Sequence, residues 1–177
     1  PMNTPRRRPF ATRRARAAAA AIGCIPIRSA SFVSILIDSD ATRRLGLPRA
    51  DYFLWNDDFE FTTRLLRHDT GLLCPASVVT HKTAAFGATD ADPGERFFYE
   101  VRNKIWMLTA PNTLGLLERG LYAGSTVRRW LRTLLRSSDR RVLRQAFRRG
   151  LAAGLRTKPR PTEELLAELG YAEDRSG

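Results

Sequence analysis

Apolar and polar positions change their period several times along this chain, and each change predicts an element. The run SASFVSILID (29–38) is β-branched and apolar and predicts a strand. DSDATRRLG follows with the marks of a short helix: Asp38 or Asp40 to cap its start, Gly46 to end it and Pro48 just beyond. Apolar residues then stand at 53, 54, 55, 59, 61, 65 and 66, and the part from 58 to 67 suits a helix ending near Gly71. LLCPASVVTH (72–81) predicts a second strand, broken at Pro75 and ending at His81. Residues 82–97 are rich in Gly, Ala, Thr and Asp and predict a long loop of the kind that often forms a lid. In FFYEVRNKIWMLTA, Phe98, Val101, Ile105 and Leu108 keep helical spacing.

From Pro111 the pattern becomes that of basic amphipathic helices. Val127, Trp130, Leu131, Leu134 and Leu135 share one face, and Leu143, Ala146, Phe147 and Leu151 repeat the style. Pro159 and Pro161 break the chain before a last short helix, TEELLAEL, with Thr162 as its cap. At the other end, PMNTPRRRPFATRRAR has no periodicity and predicts a loop or arm. The resulting expectation is an α/β protein in three parts. Residues 1–27 form a basic arm, 28–110 a mixed sheet with flanking helices, and 111–177 a basic helical C-terminal region.

Charge changes the picture more than length does. The 177 residues can bury a core, and 43% are hydrophobic. The formal charge is +12, from 30 basic and 18 acidic residues. Such a balance draws polyanions: nucleic acid, an anionic membrane surface or a phosphorylated substrate. Arginine supplies most of it and suits bidentate phosphate contacts. Cys24 and Cys74 form no CxxC pair or Cys/His cluster, which argues against zinc; the expectation is free buried thiols in a reducing compartment, with a single disulfide as the alternative. No apolar run has the length of a membrane span. RARAAAAAIGCIPI has the outward form of a signal peptide, but its apolar part is short and no good cleavage site follows. DSD (38–40) matches a metal-holding Asp-x-Asp pattern, yet its place at a helix start favours capping.

The chemistry concentrates in DYFLWNDDFEF (51–61). Asp57, Asp58 and Glu60 sit among Phe53, Trp55, Phe59 and Phe61. Carboxylates in apolar surroundings are costly unless paired, bound to a cation or used in a reaction. One reading is that acids at a helix start meet its dipole. The other is that a partly buried Asp serves as a general base with a raised pKa. His81 is a structural histidine or one ligand of a divalent metal.

Order and spacing add a resemblance. Gly46-Leu47-Pro48, Tyr52-Phe53-Leu54-Trp55, Asp57-Asp58-Phe59-Glu60, Arg64, Gly71, Pro75, His81 and Phe98-Tyr99-x-x-Arg102-Asn103 follow one another over residues 28–108. This stretch resembles the C-terminal half of family 2 inverting glycosyltransferases of the GT-A fold, in the galactofuranosyl- and rhamnosyltransferase-like group. The resemblance implies transfer from a nucleotide-sugar donor to a cell-envelope or lipid-linked glycan, at the inner face of the plasma membrane. It implies Asp58 as catalytic base and Asp57 as the group orienting it. Trp55 and Glu60 would hold the acceptor, and His81 would bind Mn²⁺ or Mg²⁺. Arg102 and Asn103 match a pair that packs helices or contacts phosphate.

The family's N-terminal half, with its nucleotide-binding β-α-β units and metal-binding Asp-x-Asp, has no counterpart here. The chain begins at Pro1, with Met2 second. The expectation is therefore a partial GT-A domain, the acceptor and base half without the donor half. The rival is a basic nucleic-acid-binding or membrane-associated module without catalysis. Against nucleic acid, the arginines spread over helix faces and no helix-turn-helix, RNA-binding or zinc pattern is present.

Overall fold

The computed structural model describes residues 5–82, 92–111 and 113–171. Within them a small antiparallel sheet with three helices is followed by a mostly helical C-terminal region. The sheet has the order β1–β2–β3, formed by Arg6–Arg7, Ile25–Ser29 and Gly71–Leu73. Both pairings are antiparallel, with Ile25 opposite Leu73 and Ile27 opposite Gly71. The expected mixed sheet is thus corrected to an antiparallel one.

The segment 1–27 is not simply an arm. Thr12 accepts a hydrogen bond from the Ala15 amide and caps helix α1, Arg13–Ala21. Its alanine run is the best helix-forming composition available, and this outweighs the repulsion of neighbouring arginines. The signal-like stretch is therefore this helix and the strand after it.

The strand expected at 29–38 is displaced to Ile25–Ser29. After Ser29 the chain finds no strand partner. The Ala30 amide donates instead to the Thr62 hydroxyl at 3.1 Å. The β-branched run beyond is left largely in the open, with Leu36 99% exposed. The second expected strand is only Gly71–Leu73. Pro75 stops it, and residues 74–82 are exposed coil. His81 therefore lies well past the strand end on which it was placed.

The helices follow their sequence signals more closely. Asp38 caps α2 (Ser39–Leu45) through the Asp40 amide, and Gly46 closes it at φ 80°. Helix α3 spans Asp57–Leu65, α4 Phe97–Thr109, α5 Leu116–Arg136, α6 Arg140–Arg156 and α7 Thr162–Glu168. Thr162 does not cap α7: its hydroxyl donates to the Pro48 carbonyl at 2.6 Å and accepts from the Ala50 amide at 2.8 Å. It pins the last helix to the 46–51 loop, where Glu163 also accepts from the Leu47 amide. Most of the expected 82–97 loop lies outside the described residues.

Two apolar cores result. Ile27, Ala41, Phe61, Leu65 and Leu66 join the sheet to α2 and α3. Phe97, Val101, Trp130, Leu143 and Ala146 join α4, α5 and α6. Arg28 links the two halves from β2. Its guanidinium is buried, pairs with Glu118 at 2.8 Å, and donates to the carbonyls of Thr63 and Thr113. A buried guanidinium with every donor group engaged holds three elements in register.

Helices α4 and α6 approach closely at two glycines. A Cβ at Gly150 would stand 2.6 Å from the Phe98 carbonyl oxygen, and one at Gly154 would stand 2.7 Å from Ile105 Cβ. Gly150→Ala is expected to lower stability by about 1–2 kcal/mol, because overpacking against backbone exceeds the roughly 1 kcal/mol helix-propensity gain. Gly120→Ala, in open space on α5, is expected to raise stability by about 0.5–1 kcal/mol. Denaturant midpoints of the two variants check both signs.

Candidate functional site

Residues 52–56 enter α3 through backbone that side chains rarely adopt. Phe53, Trp55 and Asn56 have φ of 58°, 62° and 65°. None is glycine, so each position costs about 1 kcal/mol or more and must be held by its surroundings. The holding groups come from α4. The Asn103 side-chain amide donates to the carbonyls of Tyr52, Leu54 and Trp55, each at 2.8 Å. Arg102 donates to the Asp51 and Tyr52 carbonyls at 2.6 and 3.3 Å. Its guanidinium lies 4.2 Å from the Trp106 ring centroid and 5.2 Å from that of Tyr99. Arg102 and Asn103 are therefore a clamp on the loop.

The same loop is tied from its other end. Asn56 Nδ2 donates to Glu100 at 3.0 Å, and Glu100 pairs with Arg129 of α5. The Asn56 carbonyl accepts from the Glu60 amide and opens α3.

The predicted site residues separate at this point. Asp57 and Asp58 stand in the first turn of α3, half-buried, where the helix dipole favours their charge. Asp58 Oδ1 accepts from the Phe59 amide at 2.6 Å. Burial raises its pKa above the ordinary carboxylate value. A hydrogen bond with Ser31 and the charge of Lys104 oppose the rise, while Asp57 adds to it. Trp55 is half-buried on the strained loop just before them. Glu60 is elsewhere. It is 2% exposed, with Arg64 at 2.9 Å and Arg49 at 3.8 Å. Its carboxylate fixes the 45–49 loop, because Arg64 also donates to the carbonyls of Leu45 and Leu47. The expected acceptor contact of Glu60 is corrected to a core ion pair. His81 is exposed in coil, and among the described residues no group of three or more His, Cys, Asp or Glu could hold a metal. The described residues thus do not by themselves make a divalent-metal site.

Lys104 is the member of the site that sequence reasoning missed. It is buried on α4, 4.9 Å from the Phe59 ring centroid. Burial pushes its pKa down to about 8, with Arg6 adding to the fall and Asp58 opposing it. Arg6 of β1 lies 5.5 Å from the rings of both Phe59 and Tyr122. A signal existed: Lys104 stands on the stripe of Phe97 and Val101, and lysine is scarce beside arginine in this chain. A lysine on a buried helix stripe is rare unless it faces a charge.

Comparison of this chain with protein-family models, with curated proteins and with solved structures found no match.

Asn103→Ala takes the donor from the Leu54 and Trp55 carbonyls and leaves Tyr52 only the longer bond from Arg102, and is expected to cost about 2–4 kcal/mol in denaturant unfolding. Asn103→Asp is expected to cost more, since it faces carbonyl oxygens with an acceptor. A loss below about 0.5 kcal/mol for both, the ordinary surface range, would remove the clamp. Lys104 also sets a pH dependence. Its folded pKa near 8 lies below the ordinary lysine value of 10.5, so the unfolded chain binds more protons between them. Stability is expected to rise from pH 8 toward pH 10, and Lys104→Met is expected to flatten that rise in thermal melts across the window.

Proposed function

We propose that residues 28–110 are the acceptor-and-base side of an inverting glycosyltransferase of the GT-A, family 2 kind. The donor is a nucleotide sugar, and the acceptor a cell-envelope or lipid-linked glycan. The observation that carries the reading is Asp58: a half-buried carboxylate of raised pKa at a helix N-terminus, directly after a strained, clamped loop that carries Trp55. Strain of that kind gathers at functional sites, and a carboxylate of raised pKa suits proton abstraction.

In this role Asp58 takes the proton from an acceptor hydroxyl. The freed oxygen attacks the sugar C1 from the face opposite the nucleoside diphosphate, whose bond to C1 breaks with inversion. Asp57, the adjacent acid, keeps Asp58 basic by like charge. Trp55 offers a ring face to the acceptor sugar. Lys104 limits how far the pKa of Asp58 rises. His81 would supply one ligand to Mn²⁺ or Mg²⁺, with its companion ligands outside the described residues. The setting is the cytoplasmic side of a membrane, to which the chain attaches peripherally; no described helix is long and apolar enough to cross one.

The second reading, a basic module without catalysis, draws on the arginines of α5 and α6. Two experiments separate them. Calorimetry with a UDP-hexose and Mn²⁺ is expected to show no micromolar binding to this chain, because in this reading the donor binds to another half. Micromolar binding would contradict that division. In a transfer-competent form that includes a donor-binding half, Asp58→Asn is expected to lower turnover by at least about a thousandfold, at the upper end of what a general base supplies, with donor affinity unchanged. Near-normal turnover would exclude Asp58 as base.

A further inference from the structure

Helix α5 is amphipathic on both sides. Thr126 and Trp130 face the core. On the opposite side Leu117, Leu121, Leu131 and Leu135 are 56–69% exposed, in a line that Gly124 continues. At 1.5 Å per residue the stripe from Leu117 to Leu135 is about 27 Å long. Arg132 and Arg136 run beside it and Arg128 stands within it between Leu121 and Leu135, and none of the three has an ion pair among the described residues. The only acid of α5, Glu118, is taken by Arg28, and α6 has no acid at all. A leucine stripe alone would suit several partners. A leucine stripe carrying and edged by uncompensated arginines, whose long stems can reach up to headgroups, suits a surface that is apolar inside and anionic at its rim.

We propose that this outer face of α5 lies in the interface of an anionic lipid bilayer, leucines among the acyl chains and arginines at the phosphate headgroups. The helix lies along the membrane and does not span it. The inference deepens the peripheral-membrane part of the functional reading and rests on it for the choice of lipid over nucleic acid. It needs no sugar transfer, so the two can fail separately.

The test is flotation of the full chain with vesicles of phosphatidylcholine alone or with one-third phosphatidylglycerol, at physiological salt. The chain is expected to float with the anionic vesicles and stay behind with the neutral ones. Arg128→Gln, Arg132→Gln and Arg136→Gln together are expected to lower partitioning on the order of a hundredfold. Leu121→Ser, Leu131→Ser and Leu135→Ser together are expected to lower it at least as much, roughly a hundredfold or more. Both sets lie on an open face, and unchanged circular dichroism and melting show that the fold is kept. Equal flotation with neutral vesicles, flotation indifferent to the leucine set, RNA binding in place of vesicle binding, or a stable dimer broken by the leucine set would each overturn the proposal.

The cysteines carry a second inference. Ile25 pairs with Leu73, so the antiparallel register continued by one residue sets Cys24 opposite Cys74. Both thiols are free, Cys24 partly buried and Cys74 exposed. Directly opposed positions of an antiparallel pair have the Cα spacing that a disulfide bridges. We infer that Cys24 and Cys74 form a reversible disulfide with a small-molecule disulfide as oxidant. The Cys74 thiolate attacks glutathione disulfide and releases one glutathione. The Cys24 thiolate then displaces the second, so two protein thiols are oxidised as one disulfide is reduced to two thiols. Incubation of the native chain with oxidised glutathione is expected to remove both titratable thiols and two hydrogens of mass, reversibly with dithiothreitol. In Cys24→Ser the product is expected to stop at the glutathione adduct. A stable adduct on the unmodified chain, or two thiols that survive, would overturn this second inference.

Discussion

The amide of Asn103 holds a stretch of backbone that would not keep its shape alone. Three residues from Phe53 to Asn56 take left-handed conformations without being glycine. Their carbonyls would be stranded or would draw in water, and the entry to α3 would relax. One side chain on α4 collects the carbonyls of Tyr52, Leu54 and Trp55, and its neighbour Arg102 takes that of Asp51 and shares that of Tyr52. The position of Asp58 follows from that clamp, because α3 starts where the loop ends.

The clamp works only if α4 is itself fixed. Close contact with α6 at Gly150 and Gly154 supplies part of that, and the Asn56–Glu100–Arg129 chain ties α4 to α5. Arg28 then fastens α5 to the sheet and to α3. The helical C-terminal region is thus the scaffold on which the loop before α3 is bent. The outer side of α5 stays free of that work, which leaves its leucines and arginines for another surface.

The helices were legible from the sequence because their caps and periods are local. Asp38, Gly46 and the stripe of α4 act within a few residues of themselves. The strands were not, because a strand exists only where partners lie alongside. The SFVSILI run has strand composition, but the Thr62 hydroxyl takes the amide at its start and no neighbour follows. The arm at 1–27 was misread for the opposite reason: arginines obscured an alanine helix. At the site, the acids at 57 and 58 were legible as a cost needing explanation. That Glu60 belongs to Arg64 was not, since the pair is completed by Arg49 and by the fold of the 45–49 loop. Nor was the meeting of Lys104 and Asp58, which depends on how α4 crosses α3.

The most direct measurement is the titration of the Asp58 carboxyl carbon by ¹³C NMR in the unmodified chain and in Lys104→Met. The account predicts a midpoint above the ordinary aspartate value in the first and a further rise in the second, as the opposing charge is lost. An ordinary midpoint that ignores Lys104 would contradict it, and Asp58 would then be a solvated helix-start acid.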